Sequence, residues 1–231
     1  MISFSEIYKQ AISLFDDPEI TEAYDSNKMS FDKLMYPFLN ASLSLFTNPS
    51  MIGRMLSDYI EPKGTMEIFD SDGQTLEFEL SFVPEKDCLF ECFADGIKVD
   101  FSYDKDLNKI VFFEQIEAGK EYSVECYFEG CFNTDLKVTN NAPIDKDIRN
   151  KTISILARLL VSAWGEKTKN YLLDIQNILT DTDFQLHPAS NALNAKVNFV
   201  QRITEELYQL QNKLSHIIRF ASSANWGRRY N

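Results

Sequence analysis

The run Leu76-Glu77-Phe78-Glu79-Leu80-Ser81-Phe82 alternates apolar and polar residues without a break. A period of two puts Leu76, Phe78, Leu80 and Phe82 on one face and Glu77, Glu79 and Ser81 on the other, the pattern of a half-buried β-strand. Upstream, Asp72-Gly73 follows Met66 to Ile68, which predicts a hairpin closing on this strand. Downstream, Cys88 to Phe93 leads into Asp95-Gly96 and then Ile97, Val99, Phe101 and Tyr103, a second hairpin. Asp104 to Asn108 is a turn cluster, and Ile110 to Phe113 and Tyr122 to Phe128 read as further strands. Six or seven short strands at this spacing predict a small antiparallel sandwich or barrel.

Outside this segment the period changes to that of a helix. Near the N-terminus, Ser3 with Glu6 makes a capping box. Phe4, Ile7, Tyr8, Ala11, Leu14 and Phe15 then recur at helical spacing. Asp16-Asp17-Pro18 ends that helix and opens another. A further apolar stretch starts at Ser30, with Pro37 as a kink or as its true start. Asn48-Pro49 repeats the cap-then-proline signal before Met51. After Pro143, Ile148 to Trp164 predicts an amphipathic helix that Gly165 interrupts, and His187-Pro188 marks a loop. Ser190 then caps the last helix, where Leu193, Val200, Leu207 and Leu214 lie seven apart, interleaved with Ile203, Leu210 and Ile217. This stripe suits a self-associating coiled coil or, the preferred reading, packing against helices of the same chain. Periodicity fades after Phe220.

The predicted architecture is therefore α+β. Residues 1–60 and 138–231 form a helical bundle, and residues 61–137 are an inserted antiparallel β-sandwich or small barrel. The first helices are too short to bury their apolar faces alone, which favours an insertion over three successive modules.

Charge follows the same division. Residues 61–137 hold 19 Asp/Glu against 7 Lys/Arg, and so carry a charge equal to the whole net charge of −12, while the flanks cancel. Such a segment repels nucleic acid and suits a basic partner; it also serves simply to keep an insert in solution. Met1 to Glu6 has no signal-peptide character, and no apolar run reaches the roughly 18 residues of a membrane span. Synthesis in a cytosol, with reduced thiols and no membrane partner, is the expectation.

Specific chemistry is sparse. Cys88, Cys92, Cys126 and Cys131 match a zinc site in number but not in spacing, so buried thiols are expected and no metal or other cofactor. His187 and His216 have no partner at metal-ligand spacing. No Gly-rich phosphate loop, nucleophile elbow or calcium loop occurs. The expectation is a protein without catalytic residues. The distinctive candidate is the C-terminal Trp226, Arg228, Arg229 and Tyr230, residue types that dominate binding hot spots. They read as a docking peptide; the alternative is a frayed or folded-back terminus.

The stretch Ser3 to Pro18, with Leu34-Met35-Tyr36-Pro37-Phe38-Leu39-Asn40 and Leu45-Phe46-Thr47-Asn48-Pro49, resembles virion neck proteins of tailed bacteriophages, the adaptor, collar or ring proteins that join portal to tail. The resemblance covers mainly the first 60 residues. It implies a structural subunit of a head–tail connection, made in the host cytoplasm and located in the virion. Its partners would be the portal, neighbouring ring or tail subunits and further copies of itself, in a ring through which DNA passes without sequence-specific contact. The family brings no catalytic residues. The competing expectation is a cytosolic acidic regulator that binds a basic protein or mimics nucleic acid.

Overall fold

The computed structural model describes residues 1–15, 17–84, 88–113, 116–133, 142–180 and 187–227, without the side chains of 142–145, 172, 174–180, 187–192 and 221–227. It is mixed helix and sheet, with every strand pairing antiparallel. The chain divides into two units, Met1–Ile60 with Cys131–Asn231, and Glu61–Gly130.

The first unit begins with strand β1 (Ile2–Ser3), which runs into helix α1 (Phe4–Ile12). The predicted capping box is present: Ser3 Oγ accepts from the Glu6 N–H (3.3 Å) and Glu6 Oε2 from the Ser3 N–H (3.1 Å). Asp17 caps α2 (Pro18–Ser26), with Pro18 at the start of the helix. Asn27 caps α3 (Lys28–Ser42), which starts ahead of Ser30 and passes through Pro37. A 3-10 turn (Leu43–Leu45) leads to α4 (Ser50–Met55).

Asn48 does not cap α4, whose N-terminal position is Pro49. Its N–H donates instead to Gln211 Oε1 (2.9 Å) and its side-chain amide to Asn212 Oδ1 (3.1 Å), while Gln211 Nε2 donates to Leu45 O (3.2 Å). Gln211 is buried, and these bonds satisfy both ends of its amide.

Strand β2 (Tyr59–Ile60) was not foreseen, nor was β1. Both are two residues long and pair with β10 (Cys131–Phe132) in a three-stranded sheet ordered β1-β10-β2. The predicted insert ran to Lys137, but Cys131 and Phe132 pair within the helical unit; residues 134–137 lie outside the described ones.

Two long helices complete this unit, α5 (Ala142–Thr180) and α6 (His187–Gly227). Helix α6 opens at His187, because a proline is tolerated in a first helical turn, where the N–H has no intrahelical partner. It therefore starts ahead of Ser190 and runs beyond Phe220. Its heptad stripe faces inward: Leu193, Val200, Ile203, Leu207 and Leu214 are buried, and all but Leu193 join one core with α5 and the N-terminal helices.

Gly165 does not interrupt α5. A Cβ built there would lie 2.8 Å from Val200 Cγ2 on α6, so glycine lets the two helices approach. Gly165→Ala gains about 1 kcal/mol of helix propensity but forces an overlap costing about 1–3 kcal/mol. The overlap should win, lowering the denaturation midpoint, and Val200→Ala in the same chain should recover much of the loss.

Arg149 on α5 fastens the N-terminus, its Nη2 donating to Glu6 Oε1 (2.7 Å), Glu6 Oε2 (2.6 Å) and Met1 O (3.3 Å). Burial alone would raise the Glu6 pKa, but the Arg149 and Ser3 hydrogen bonds outweigh it and hold the carboxyl below its ordinary value. A depressed folded-state pKa contributes stability above the unfolded value and loses it as pH falls through the folded one. Arg149→Met should thus cost stability at neutral pH, and the difference from wild type should shrink on acidification below about pH 4. Both side chains are over a third exposed, which limits the effect to about 1 kcal/mol.

The second unit holds seven strands among its described residues: β3 (Lys63–Asp70), β4 (Glu77–Glu79), β5 (Leu89–Ala94), β6 (Ile97–Val99), β7 (Phe101–Asp104), β8 (Lys109–Phe112) and β9 (Glu121–Phe128). They form a four-stranded sheet, β3-β9-β5-β6, and a three-stranded sheet, β4-β8-β7; neither closes into a barrel among the described residues. The hairpin at Asp95-Gly96 forms as predicted, and the predicted turn cluster Asp104 to Asn108 joins β7 to β8.

The predicted β3–β4 hairpin does not form. β3 pairs with β9, β4 pairs with β8, and residues 71–76 cross between the sheets. The alternating run contributes only Glu77–Glu79 to a ladder, flanked by bonds from the Phe112 N–H to Leu76 O (3.0 Å) and from the Leu80 N–H to Asn108 O (3.0 Å). Beyond that, Asn108 Nδ2 donates to Leu80 O (2.8 Å) and Phe82 O (3.1 Å), so a side chain replaces the next ladder strand. Leu80, Ile110 and Phe112 of one sheet and Cys92, Ala94, Tyr122 and Val124 of the other share one core.

Candidate partner-binding cleft

A cleft of about 440 Å³ opens in the β unit between the β5–β6 hairpin and Phe113, Ile116, Glu117 and Lys120. The hairpin turn has two residues, Asp95 (φ 48°) and Gly96 (φ 81°), and it sets Ala94 opposite Ile97. Positive φ at both positions matches the strand twist, which favours an Asp-Gly pair here.

The opposite wall is pinned from below. Gly119 N–H donates to Ser71 O (2.8 Å) and Ser71 N–H to Lys120 O (3.1 Å). Gly73 (φ 76°) sits so close to Ala118 that a Cβ on it would lie 2.8 Å from the alanine Cβ. Asp72 anchors the supporting turn, accepting from the Gln74 N–H (2.8 Å), the Thr75 N–H (2.7 Å) and the Thr75 hydroxyl (2.7 Å). The Thr75 and Gln74 N–H groups, with the hydroxyl, pull its carboxyl down to about 2.

The cleft floor is apolar and buried: Ala94, Phe112, Ile116 and Tyr122 are each at most 6% exposed. The rim carries Ile97 and Phe113, each 70% exposed. Asp100 and Glu117 add carboxylates to it. Lys120 is the one base among the described lining residues, and its Nζ lies 3.0 Å from Glu117 Oε2. The Glu117 hydrogen bond, against some desolvation, raises the Lys120 pKa. Asp95 and Glu121 stand beside the cleft, joined by the Asp95 N–H to Glu121 O (3.0 Å) and the Glu121 N–H to Asp95 Oδ1 (3.3 Å). Two exposed apolar side chains above a buried floor, with Asp100 beside them and Glu117 paired to Lys120, suit an apolar anchor.

None of the four cysteines is in a disulfide among the described residues, and their surroundings differ. Cys92 is fully buried, and burial pushes its thiol up to about 12. Cys88 and Cys126 line a separate cavity of about 90 Å³. Cys131 belongs to the helical unit, since the strand carrying Cys126 ends at Phe128 and turns at Gly130 (φ 76°). Among the described residues no group of three or more His, Cys, Asp or Glu could hold a metal ion. His216 is exposed on α6. No described helix is long and apolar enough to cross a membrane.

Of the C-terminal candidates, Trp226 lies in the last turn of α6 with its side chain outside the description. Arg228, Arg229 and Tyr230 lie outside the described residues. The cleft was not singled out from sequence, although a signal existed. Val111-Phe112-Phe113 breaks the alternation, and a strand cannot bury two successive phenylalanines on one face. No protein-family model, no curated protein and no solved structure matches the chain.

Proposed function

We propose that this chain is a non-catalytic assembly subunit of a tailed-phage virion neck, acting in an oligomeric ring between portal and tail. The observation that carries the reading is the separation of charge between the units. Glu61–Gly130 holds 18 Asp/Glu against 6 Lys/Arg, whereas the helical unit holds 17 of each. A neutral helical body suits side-by-side packing, and an acidic β unit suits a basic neighbour or a channel that DNA slides past. The likeness of the first 60 residues to neck proteins supports the setting. In finer terms, the helical unit is read as a bundle and the β unit as a two-sheet sandwich.

Quantitative mass spectrometry of purified particles from the source tests this. The chain should be present at a fixed, multiple copy number per particle. Its absence from particles would sink the reading. The charge of −12 on one unit also favours a second reading, an acidic regulator of a basic protein. Light scattering separates them: a ring subunit forms a large defined multimer alone or with its neck partners, while a regulator stays small in both cases.

A further inference from the structure

We propose that two copies of this chain pair through the free edge of β3, antiparallel and with Met66 on the two-fold axis, so that the sheet β3-β9-β5-β6 runs on into that of the partner copy. The pairing is a property of the chain alone. It goes beyond the virion reading and does not rest on it.

β3 is the longer edge strand of its sheet, eight residues against three in β6. Lys63 to Met66, Ile68 and Asp70 are all exposed. The ladder shows which of its backbone groups are free. The Asp95 N–H donates to Glu121 O, so odd-numbered residues of β9 bond toward β5 and even-numbered ones toward β3. The bond from the Ser71 N–H to Lys120 O keeps that parity. On β3 the partners of the even residues are Lys63, Thr65, Glu67 and Phe69. Gly64, Met66, Ile68 and Asp70 therefore turn their N–H and C=O groups outward, where no described strand lies. A long exposed edge is a template for another strand unless charge, proline or a bulge guards it. Between Lys63 and Asp70, β3 has no proline and a single charge, Glu67, while Met66 and Ile68 stand 48% and 50% exposed.

The strand complements itself. Opposed residues of an antiparallel pair share a face, so a two-fold pairing sets even residues against even ones. With Met66 opposite its own image, Gly64 meets Ile68, and the Asp70 N–H meets the Pro62 carbonyl. Pro62 has no N–H to offer and ends the ladder there. On one face Met66 and Ile68 of both copies cover one another. On the other, Thr65 lies opposite Glu67, and Lys63 lies diagonal to Glu67 of the partner copy, within reach of a long side chain. Within its own copy Glu67 accepts from the Ser81 N–H (2.8 Å) and hydroxyl (3.0 Å), both through Oε2, which leaves Oε1 for the ammonium group. Centring the pair on Glu67 would instead set two carboxylates face to face, which is destabilising. Charge thus selects the register. A contact of this kind is isologous and closes at two copies.

Light scattering of the full chain against concentration, with amide hydrogen exchange read by NMR, tests the pairing. Mass should rise reversibly from one copy to two. The outward amides of Gly64, Met66, Ile68 and Asp70 should exchange at least about tenfold more slowly in the dimer, while those of Thr65, Glu67 and Phe69, already bonded to β9, should change little. Met66→Lys, at an exposed position, sets two ammonium groups against each other and should weaken pairing more than about tenfold. Lys63→Glu should weaken it as well, and adding Glu67→Lys should restore it. Lys63 and Glu67 of one copy lie about 13 Å apart along the strand, so the rescue can come only from the partner copy. A chain that stays monomeric at every concentration would overturn the proposal. So would a dimer or larger multimer whose outward β3 amides exchange at the monomer rate, or one that Met66→Lys leaves intact. None of these results bears on whether the chain is found in particles, so this pairing and the virion reading fail separately.

Discussion

Phe132→Ala should destabilise the helical unit by about 3–5 kcal/mol, the range for deleting a buried phenylalanine. Phe132 has no exposed surface, and its ring lies 5.0 Å from that of Phe4 and 6.0 Å from that of Tyr59. It also sits on β10, the central strand of β1-β10-β2, so the cavity opens where three separate chain segments converge. Phe4 in turn stacks on Tyr36 of α3 at 5.8 Å, which leaves little room for collapse into the space. Both tryptophans belong to this unit. Their fluorescence should therefore report the loss, as a melting midpoint lower by about 10 °C or more. A midpoint within a degree or two of wild type would mean that Phe132 is not the keystone its contacts suggest.

Phe112→Ala is the matching experiment in the β unit and should also cost about 3–5 kcal/mol. Phe112 is 5% exposed at the end of β8, the middle strand of its sheet. Its ring meets Tyr122 at 5.3 Å, Phe78 at 6.0 Å and Phe69 at 6.4 Å, an aromatic cluster drawn from both sheets. The β unit contains no tryptophan, so this loss should be read in the strand region of the circular dichroism spectrum. If each unit melts as its own cooperative block, Phe112→Ala leaves the tryptophan transition in place and Phe132→Ala leaves the strand transition in place. Equal shifts of both signals in both variants would show one cooperative block instead.

The readable parts of the fold were those fixed by neighbours in sequence. The Ser3–Glu6 capping box needs only a spacing of three, and Asp95-Gly96 carries the backbone freedom its turn requires. The stripe from Leu193 to Leu214 announces its buried face by period alone. Long-range partners decided the rest. Asp72-Gly73 has the chemistry of a hairpin turn, yet β9 is the better partner for all eight residues of β3, so the turn serves a crossover. Asn48-Pro49 looks like a helix start until Gln211, 163 residues away, takes the Asn48 N–H. Strands of two residues such as β1 and β2 leave no periodic trace. The cleft assembles residues from 94 to 122, and alternation records which side chains leave the core without recording where they meet.

The register at the unit boundary has an architectural consequence. Ile60 and Cys131 are cross-strand partners in one unit, and Lys63 and Phe128 are cross-strand partners in the other. The chain thus departs and returns through neighbouring positions, and from the helical side everything between them is a single decorated loop. A two-residue turn of the Asn-Gly kind closes an antiparallel pair like Ile60–Cys131 without altering the direction of either strand. The acidic β unit is in this sense a cassette. Lineages could exchange it, enlarge it or lose it while the helical body kept its own connectivity, and surface specificity could change hands without the frame being rebuilt.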